Sequence, residues 1–221
     1  MTSPLLGASS LTDSLSEALR KQIINGDVQP GLKLTEAWVA ERFEVARPTA
    51  KAGLDRLTAE GLLRRGPRRS SVVPKLSADD VNDIYFSRGP IESTAVQALA
   101  QRSDVPADAE RALGLMRVAA ERNAHSEHTE ADIEFHSALV AATSSPRLRR
   151  MHQTVMGEAQ LCIAQVRSTA FVDLVSLTAS HAAILDAIKA GDPARAVEAL
   201  QADLDGCRET LLADITRKLA V

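Results

Sequence analysis

The sequence predicts a mainly α protein in two parts, three short helices with a small β-hairpin followed by an antiparallel α-helical bundle. Three observations lead there. Aromatic residues make up only 3% of the 221 residues, which disfavours a β-sandwich or barrel, because pleated half-buried surfaces take aromatic and β-branched side chains. Ala and Leu carry the apolar fraction instead, and both lose little on entering a helix. The charge also divides along the chain. Residues 1–77 hold 12 Lys+Arg against 8 Asp+Glu, net +4, and residues 78–221 hold 14 against 21, net −7, behind the total of −3. A split of opposite sign suits one half that meets a polyanion and one that does not. A solvated basic face would give the same count.

The rest of the composition sets bounds. At 45% hydrophobic and 25% charged the chain has the make-up of an ordinary globular protein. Cys162 and Cys207 are too far apart to suggest a disulfide framework or a thiolate zinc cluster, and a reducing cytoplasm is expected. No cationic leader and no apolar run of the ~18–20 residues needed to span a bilayer are seen, so neither secretion nor membrane insertion is expected.

In the first part, Leu11, Leu15, Leu19 and Ile23 keep an i, i+4 spacing, and Asn25-Gly26 stops that helix. After the Gln29-Pro30-Gly31 turn, Thr35 caps a second helix with Trp38, Val39 and Phe43 inward. A third opens near Arg47-Pro48, with Pro tolerated at its first position, and runs through Ala50, Leu54 and Leu57 to Gly61. Leu62-Leu63 and Val72-Val73 then flank Arg64–Ser71, a hairpin with an arginine-rich tip. Residues 42–75 concentrate nine basic side chains against Glu44, Asp55 and Glu60. Helix, turn, helix and basic wing is the arrangement that lays one helix in a DNA major groove.

The run GDVQPGLKLTEAWVAERFEVAR, the helix after it and LDRLTAEGLLRR before the wing resemble the winged helix-turn-helix of the GntR family of bacterial transcription regulators. Where that family usually shows Ser-Arg-Thr-Pro-x-Arg-Glu-Ala, this chain has Ala46-Arg47-Pro48-Thr49-Ala50-Lys51-Ala52-Gly53. Lys51 replaces an arginine whose fixed fork would grip guanine, so a changed operator sequence is expected. Position selects the DNA-binding candidates: Arg47, Thr49 and Lys51 in the first turns of the third helix, and Arg68, Arg69 and Ser70 at the wing tip. Arg64 and Arg65, on the strand before the tip, would meet phosphate or water.

From residue 78 onwards the pattern is helical. Ser77-Ala-Asp-Asp80 starts a helix through Val81, Ile84, Ile91, Ala95 and Leu99. Pro106 opens a second, to about Arg122. Asn123–Thr129 is read as a polar connection, which would leave His125 and His128 in solvent. Further helices are expected at about 130–142, from Pro146 past Cys162, at 178–190, and from Asp192-Pro193 to about Leu219.

Polar residues fall on the inward stripes of three of these helices. Asp132 and His136 are i, i+4 and share a face. His181 heads the stripe Ile184, Leu185, Ile188, and Asp203 lies in the row Ala196, Leu200, Cys207, Leu211. Unpaired, such groups would each cost on the order of 1–3 kcal/mol, so they should converge on one another, on water or on an ion. Two imidazoles and two carboxylates suit a divalent Zn, Ni or Mn. Taken singly, each is also an ordinary core histidine or a capping carboxylate.

Residues 78–221 resemble the FCD effector domain of the FadR-type branch of that family. Many such domains hold a metal through Asp-x-x-x-His and two later histidines. Asp132-Ile-Glu-Phe-His136 and His181 match, and Asp203 stands where the third histidine would be, which points to a harder ion, a more weakly held one or the loss of metal binding. The resemblance implies a domain division at residue 77, a palindromic double-stranded DNA target bound by a homodimer, and a small carboxylic-acid effector met by Arg88 of the R-x-x-I-E run. A sensor in which the ion itself is the signal, and a metal-dependent enzyme, are the rival readings. No nucleophile elbow, phosphate loop or dinucleotide fingerprint supports the enzyme. His152 belongs to no pattern.

Overall fold

The computed structural model describes residues 5–66, 70–166 and 173–219. Among these, nine helices and three short strands follow in order: α1 (Leu5–Ile24), β1 (Lys33–Leu34), α2 (Glu36–Arg42), α3 (Arg47–Ala59), β2 (Arg64–Arg65), β3 (Ser71–Val72), α4 (Ala78–Ala100), α5 (Ala107–Glu121), α6 (His125–Ala141), α7 (Pro146–Val166), α8 (Leu174–Lys189) and α9 (Pro193–Leu219). The chain divides into two compact units, one of residues 1–77 with 157–165, the other of 78–156 with 166–221. The second half of α7 therefore groups with the N-terminal residues, which a cut after Ser77 does not anticipate.

In the first unit, α1 and α3 pack through Leu15, Leu19 and Ile23 on one side and Ala50, Leu54 and Leu57 on the other, all buried. Gly53 permits this approach, since a Cβ there would lie 3.1 Å from Cδ2 of Leu15. Ion pairs Arg20–Glu60 and Arg56–Asp13 join the same two helices along their edge, and Arg56–Glu60 links them within α3 and its C-cap. Gly26, at φ 81°, ends α1 in the left-handed conformation that favours glycine. Thr35 caps α2 by accepting from the Trp38 amide at 3.1 Å. The turn into α3 passes through Glu44 at φ 52°, a strained backbone for a residue with a Cβ, and the Val45 amide donates back to Ala40 at 3.0 Å.

The hairpin gains a strand. β3 pairs antiparallel with β2 (Arg64↔Val72, Arg65↔Ser71) and also with β1 (Lys33↔Val72, Leu34↔Ser71), in the order β1-β3-β2. Leu34 is fully buried and fixes the third strand to the core shared with Val28, Val39, Leu62, Leu63 and Val73.

The second unit holds α4, α5, α6, α8 and α9 with the first half of α7. The main contacts run between α4 and α9, α5 and α6, and α8 and α9. Helix α4 continues past Pro90 although proline removes one backbone donor. Helix α6 begins at His125, not near residue 130, so the polar stretch expected to be a connection is its first turn. Helix α8 starts at Leu174, with Asp173 accepting from the amides of Val175 and Ser176. None of the helices, over the described residues, is long and apolar enough to cross a membrane.

Leu19→Ala removes a side chain with no exposed surface from the α1–α3 contact. Urea unfolding of the full chain is expected to show a loss of about 2–5 kcal/mol, the range for a buried leucine that leaves a cavity.

Candidate metal centre and nucleic-acid interface

Four helices of the second unit turn ionisable side chains into its interior, and the periodicity of each explains why. On α6, Asp132 and His136 are one turn apart. His181 of α8 heads the buried row Ile184, Leu185, Ile188, and Asp203 of α9 lies within a row that also buries Ala196, Leu200 and Leu211. From α4 come Arg88 and Glu92, also one turn apart and 2% and 0% exposed.

The imidazoles meet at their Nε2 atoms, 3.2 Å apart. Nε2 of His181 is also 2.9 Å from Oδ1 of Asp132, and Nε2 of His136 is 3.9 Å from the same oxygen. One ligand atom from each of Asp132, His136 and His181 lies within 4.8 Å of the others. Two nitrogens held at 2.0–2.1 Å by one tetrahedral ion stand about 3.3 Å apart, so the spacing fits a shared cation. Asp203 sits at the edge of this trio. Its Oδ1 accepts from Oγ of Ser180 at 2.7 Å and lies 3.3 Å from Nδ1 of His181. Its Oδ2, 3.4 Å from Nε2 of His136, is buried with no aligned hydrogen-bond donor. A buried carboxylate oxygen that faces the His136 imidazole without an aligned donor is a group that a cation would satisfy, and the donor set of nitrogen and oxygen fits Zn, Ni or Mn.

The ring orientations have local causes. Nδ1 of His181 lies 2.8 Å from the Leu177 carbonyl, which can only accept, so Nδ1 bears the hydrogen and Nε2 faces the site. Nδ1 of His136 lies 2.7 Å from Oε2 of Glu92, which approaches off the N–H axis. Phe135 packs edge-on against both rings, with centroids 5.5 Å and 4.8 Å away.

The charges shift one another. Burial pulls the His136 imidazole down, but the Glu92 and Asp203 carboxylates together outweigh it and lift the group to about 10. His181 is also raised: burial opposes the change, and Asp203 and Asp132 drive it. Burial likewise works against ionised Asp132, Asp203 and Glu92, yet all three are lowered, the first two by the histidines and Glu92 chiefly by Arg88.

Arg88 is bound to this network. Its Nε donates to Oε1 of Glu92 at 2.7 Å and its guanidinium lies 5.1 Å from the Tyr85 ring centre. Its charge is thus already answered within the protein. Glu92, His152 and Ser180 were missed by sequence reasoning, though Glu92 is the acid of the R-x-x-I-E run, i+4 from Arg88. His152, on α7, is 2% exposed with Nε2 3.2 Å from Oε1 of Glu92. His128 is 3% exposed, contrary to its expected place in solvent. Its Nε2 lies 3.0 Å from Oγ1 of Thr178, which itself donates to the Leu174 carbonyl. The cause is the earlier start of α6, which puts His128 one turn before Asp132 on the inward face.

In the first unit, Arg47 and Lys51 are exposed and one turn apart at the start of α3, and Thr49 between them is half-buried. Arg65 pairs with Asp55 at 3.0 Å, and Arg64 lies 3.6 Å from Glu158. Arg68 and Arg69 fall outside the described residues. Ser70 is 7% exposed, so its side chain is turned inward and not presented at a wing tip.

Comparison with known proteins places both parts. Residues 11–73 match the profile of the bacterial regulatory proteins of the gntR family, and residues 83–206 match the FCD domain. The chain is 31% identical over 123 residues to the HTH-type transcriptional repressor RspR of Escherichia coli (strain K12), a match over 55% of this chain and 54% of RspR, so it spans about half the length of that relative. It is 24% identical over 197 residues to the gluconate operon transcriptional repressor of Bacillus subtilis (strain 168), covering 86% of this chain and 81% of that one. A GntR transcriptional regulator from Rhodococcus sp. RHA1 superposes with a TM-score of 0.77 at 25% identity, over 92% of this chain and 98% of that structure. The FCD match alone covers more than half of the sequence, and the chain therefore belongs to the GntR family of bacterial transcription regulators with an FCD domain.

Proposed function

We propose that this regulator acts in the cytoplasm as a homodimeric repressor, reading a palindromic double-stranded operator with α3 and responding through a divalent ion held in the helical bundle. The observation that carries the metal half is the convergence of Asp132 with Nε2 of His136 and His181, beside an unsatisfied oxygen of Asp203. Asp132, His136 and His181 would hold the ion, with Asp203 closing the set. A bound divalent cation supplies a Lewis-acidic centre on which a small organic acid could place its carboxylate. For the DNA half, Arg47 and Lys51 are the basic pair that α3 presents, and Thr49 lies between them. Arg68 and Arg69 are retained as wing contacts on sequence grounds. Two copies on one operator give each short helix the affinity it lacks alone. A ligand that favours one placement of the DNA heads then changes operator affinity, and DNA changes ligand affinity by the same factor.

A second reading is favoured by the charge count. Glu92, Asp132 and Asp203 carry three negative charges, and Arg88 with a divalent ion carries three positive ones. The loaded site is then neutral, so an anionic effector would enter a dry interior without a counter-charge, and Arg88 is already occupied by Glu92. That favours the ion itself as the signal. Band shifts on upstream DNA separate the two: an operator affinity that responds to zinc or manganese alone supports the sensor, and one that responds only when a small carboxylic acid is added supports the organic effector.

For the DNA reading, Lys51→Ala and Arg47→Ala are each expected to weaken operator binding about tenfold or more. If Lys51 meets a phosphate, its loss also reduces the slope of log affinity against log salt by about 0.9. Band shifts at several salt concentrations measure both, and unchanged affinity in the two variants sinks the assignment of α3.

Ion binding must displace the histidine protons. His136 titrates at about 10 against an ordinary 6.5, and His181 is raised too. Metal affinity should therefore climb from pH 6 towards 10, by up to tenfold per unit for each imidazole that gives up a proton. Without an ion the sign is the reverse: the stability contributed by protonated His136 is complete below pH 6.5 and is lost as pH rises towards 10. Zinc titrations by calorimetry and thermal melts, both run at pH 6, 7.5 and 9, check the two directions.

A further inference from the structure

We propose that Glu92 is the positioning residue of this centre, its carboxylate holding the Nδ1 side of His136 so that Nε2 is the nitrogen offered to the cation. The inference rests on the metal reading above, and assigns a role to a residue outside the ligand set.

Oε2 of Glu92 is 2.7 Å from Nδ1 of His136. At that distance a carboxylate oxygen and a nitrogen lone pair would repel, so the hydrogen of the neutral imidazole belongs on Nδ1 and the lone pair on Nε2. The Nε2 side faces Nε2 of His181 at 3.2 Å and Oδ2 of Asp203 at 3.4 Å. The carboxylate that sets this tautomer is itself fixed. Arg88 donates to Oε1 from Nε at 2.7 Å and reaches Oε2 from its terminal nitrogen at 3.4 Å. His152 meets Oε1 from α7 at 3.2 Å. Glu92 is fully buried, so water cannot take over any of these contacts. A carboxylate behind a ligating imidazole orients the ring and makes its other nitrogen a stronger donor. The two histidines are thus oriented by different means, His181 by the Leu177 carbonyl of its own helix and His136 by a side chain from α4. Only the second can be changed by mutation without altering the backbone.

The test uses the full chain and a zinc or cadmium ion alone. In the metal-loaded, 15N-labelled wild type, long-range proton–nitrogen spectra should show His136 protonated on Nδ1 and metallated on Nε2, and metal on Nδ1 overturns the proposal. Glu92→Gln should weaken zinc binding by 10- to 100-fold in chelator competition, and Glu92→Asp should recover part of that loss. Because Glu92→Gln strips Arg88 of its counter-charge, an Arg88→Met/Glu92→Gln double variant is measured beside it, with circular dichroism as the check of folding. Folded variants that bind zinc as tightly as wild type remove the role of Glu92 and leave the metal site standing. A wild type that binds no divalent ion removes both.

Discussion

Glu92, Asp132 and Asp203 bring three negative charges into the interior of one helical bundle, and much of that interior is arranged to answer them. Removing an ionised carboxylate from water costs several kcal/mol even after relaxation, and the attraction of a partner repays this only at close range with the remaining lone pairs satisfied. Arg88, His136 and His181 supply the partners, and the carboxylates in turn raise both imidazoles above their ordinary range, which favours the protons on them. A divalent ion carries the same charge as those two protons. Exchange of one for the other leaves the interior neutral, so a single sequence can keep the bundle folded in both states. Loss of any one member leaves an uncompensated charge, a heavier penalty than the net worth of the pair.

Placement of these groups comes from ordinary helix geometry. One-turn spacing pairs Arg88 with Glu92 on α4 and Asp132 with His136 on α6, so each helix delivers two groups to the same level of the bundle. The remaining freedom lies in the rings and carboxylates, and neighbours remove it: Phe135 packs on both imidazoles, Ser180 donates to Asp203, and the Leu177 carbonyl holds His181. Each of these supports is itself buried or part of a helix, the condition under which a site stays within a few tenths of an ångström of its working geometry.

Much of this was legible in the sequence, for reasons that also mark where reading stops. Asp132, His136, His181 and Asp203 interrupt apolar stripes, and a stripe fixes which face of a helix is inward even when its partner helix is unknown. The end of α1 and the starts of α2 and α3 followed from Asn25-Gly26, Thr35 and Arg47-Pro48 because caps act locally, whereas the start of α1 at Leu5, ahead of the stripe that begins at Leu11, did not. Glu92 escaped because an arginine and a glutamate at i, i+4 on a helix usually form a solvated surface pair, and only the tertiary fold shows that this pair has no access to water. His128 was misplaced by composition, since a polar stretch reads as a connection until the neighbouring α8 supplies Thr178 as a partner. Strand β1 is two residues long, too short for any alternation to register, and exists through its pairing with β3.

The basic excess of the first unit is only partly available to a polyanion. Arg20 and Arg56 are engaged with Glu60 and Asp13, where they hold α1 against α3, and Arg65 is turned to Asp55 on α3. Arg47 and Lys51 remain exposed at the start of the helix whose N-terminal turns face base edges in this motif. Their different chemistry then divides the work. Arg47 offers a planar fork that can match the two acceptors of a guanine, whereas Lys51 is a compact charge on a flexible stem, better suited to a phosphate or a single acceptor. With Ser70 turned inward, the proposed DNA reading would rest, in the described part of this unit, on Arg47 and Thr49 for sequence discrimination, with Lys51 adding affinity that salt screens.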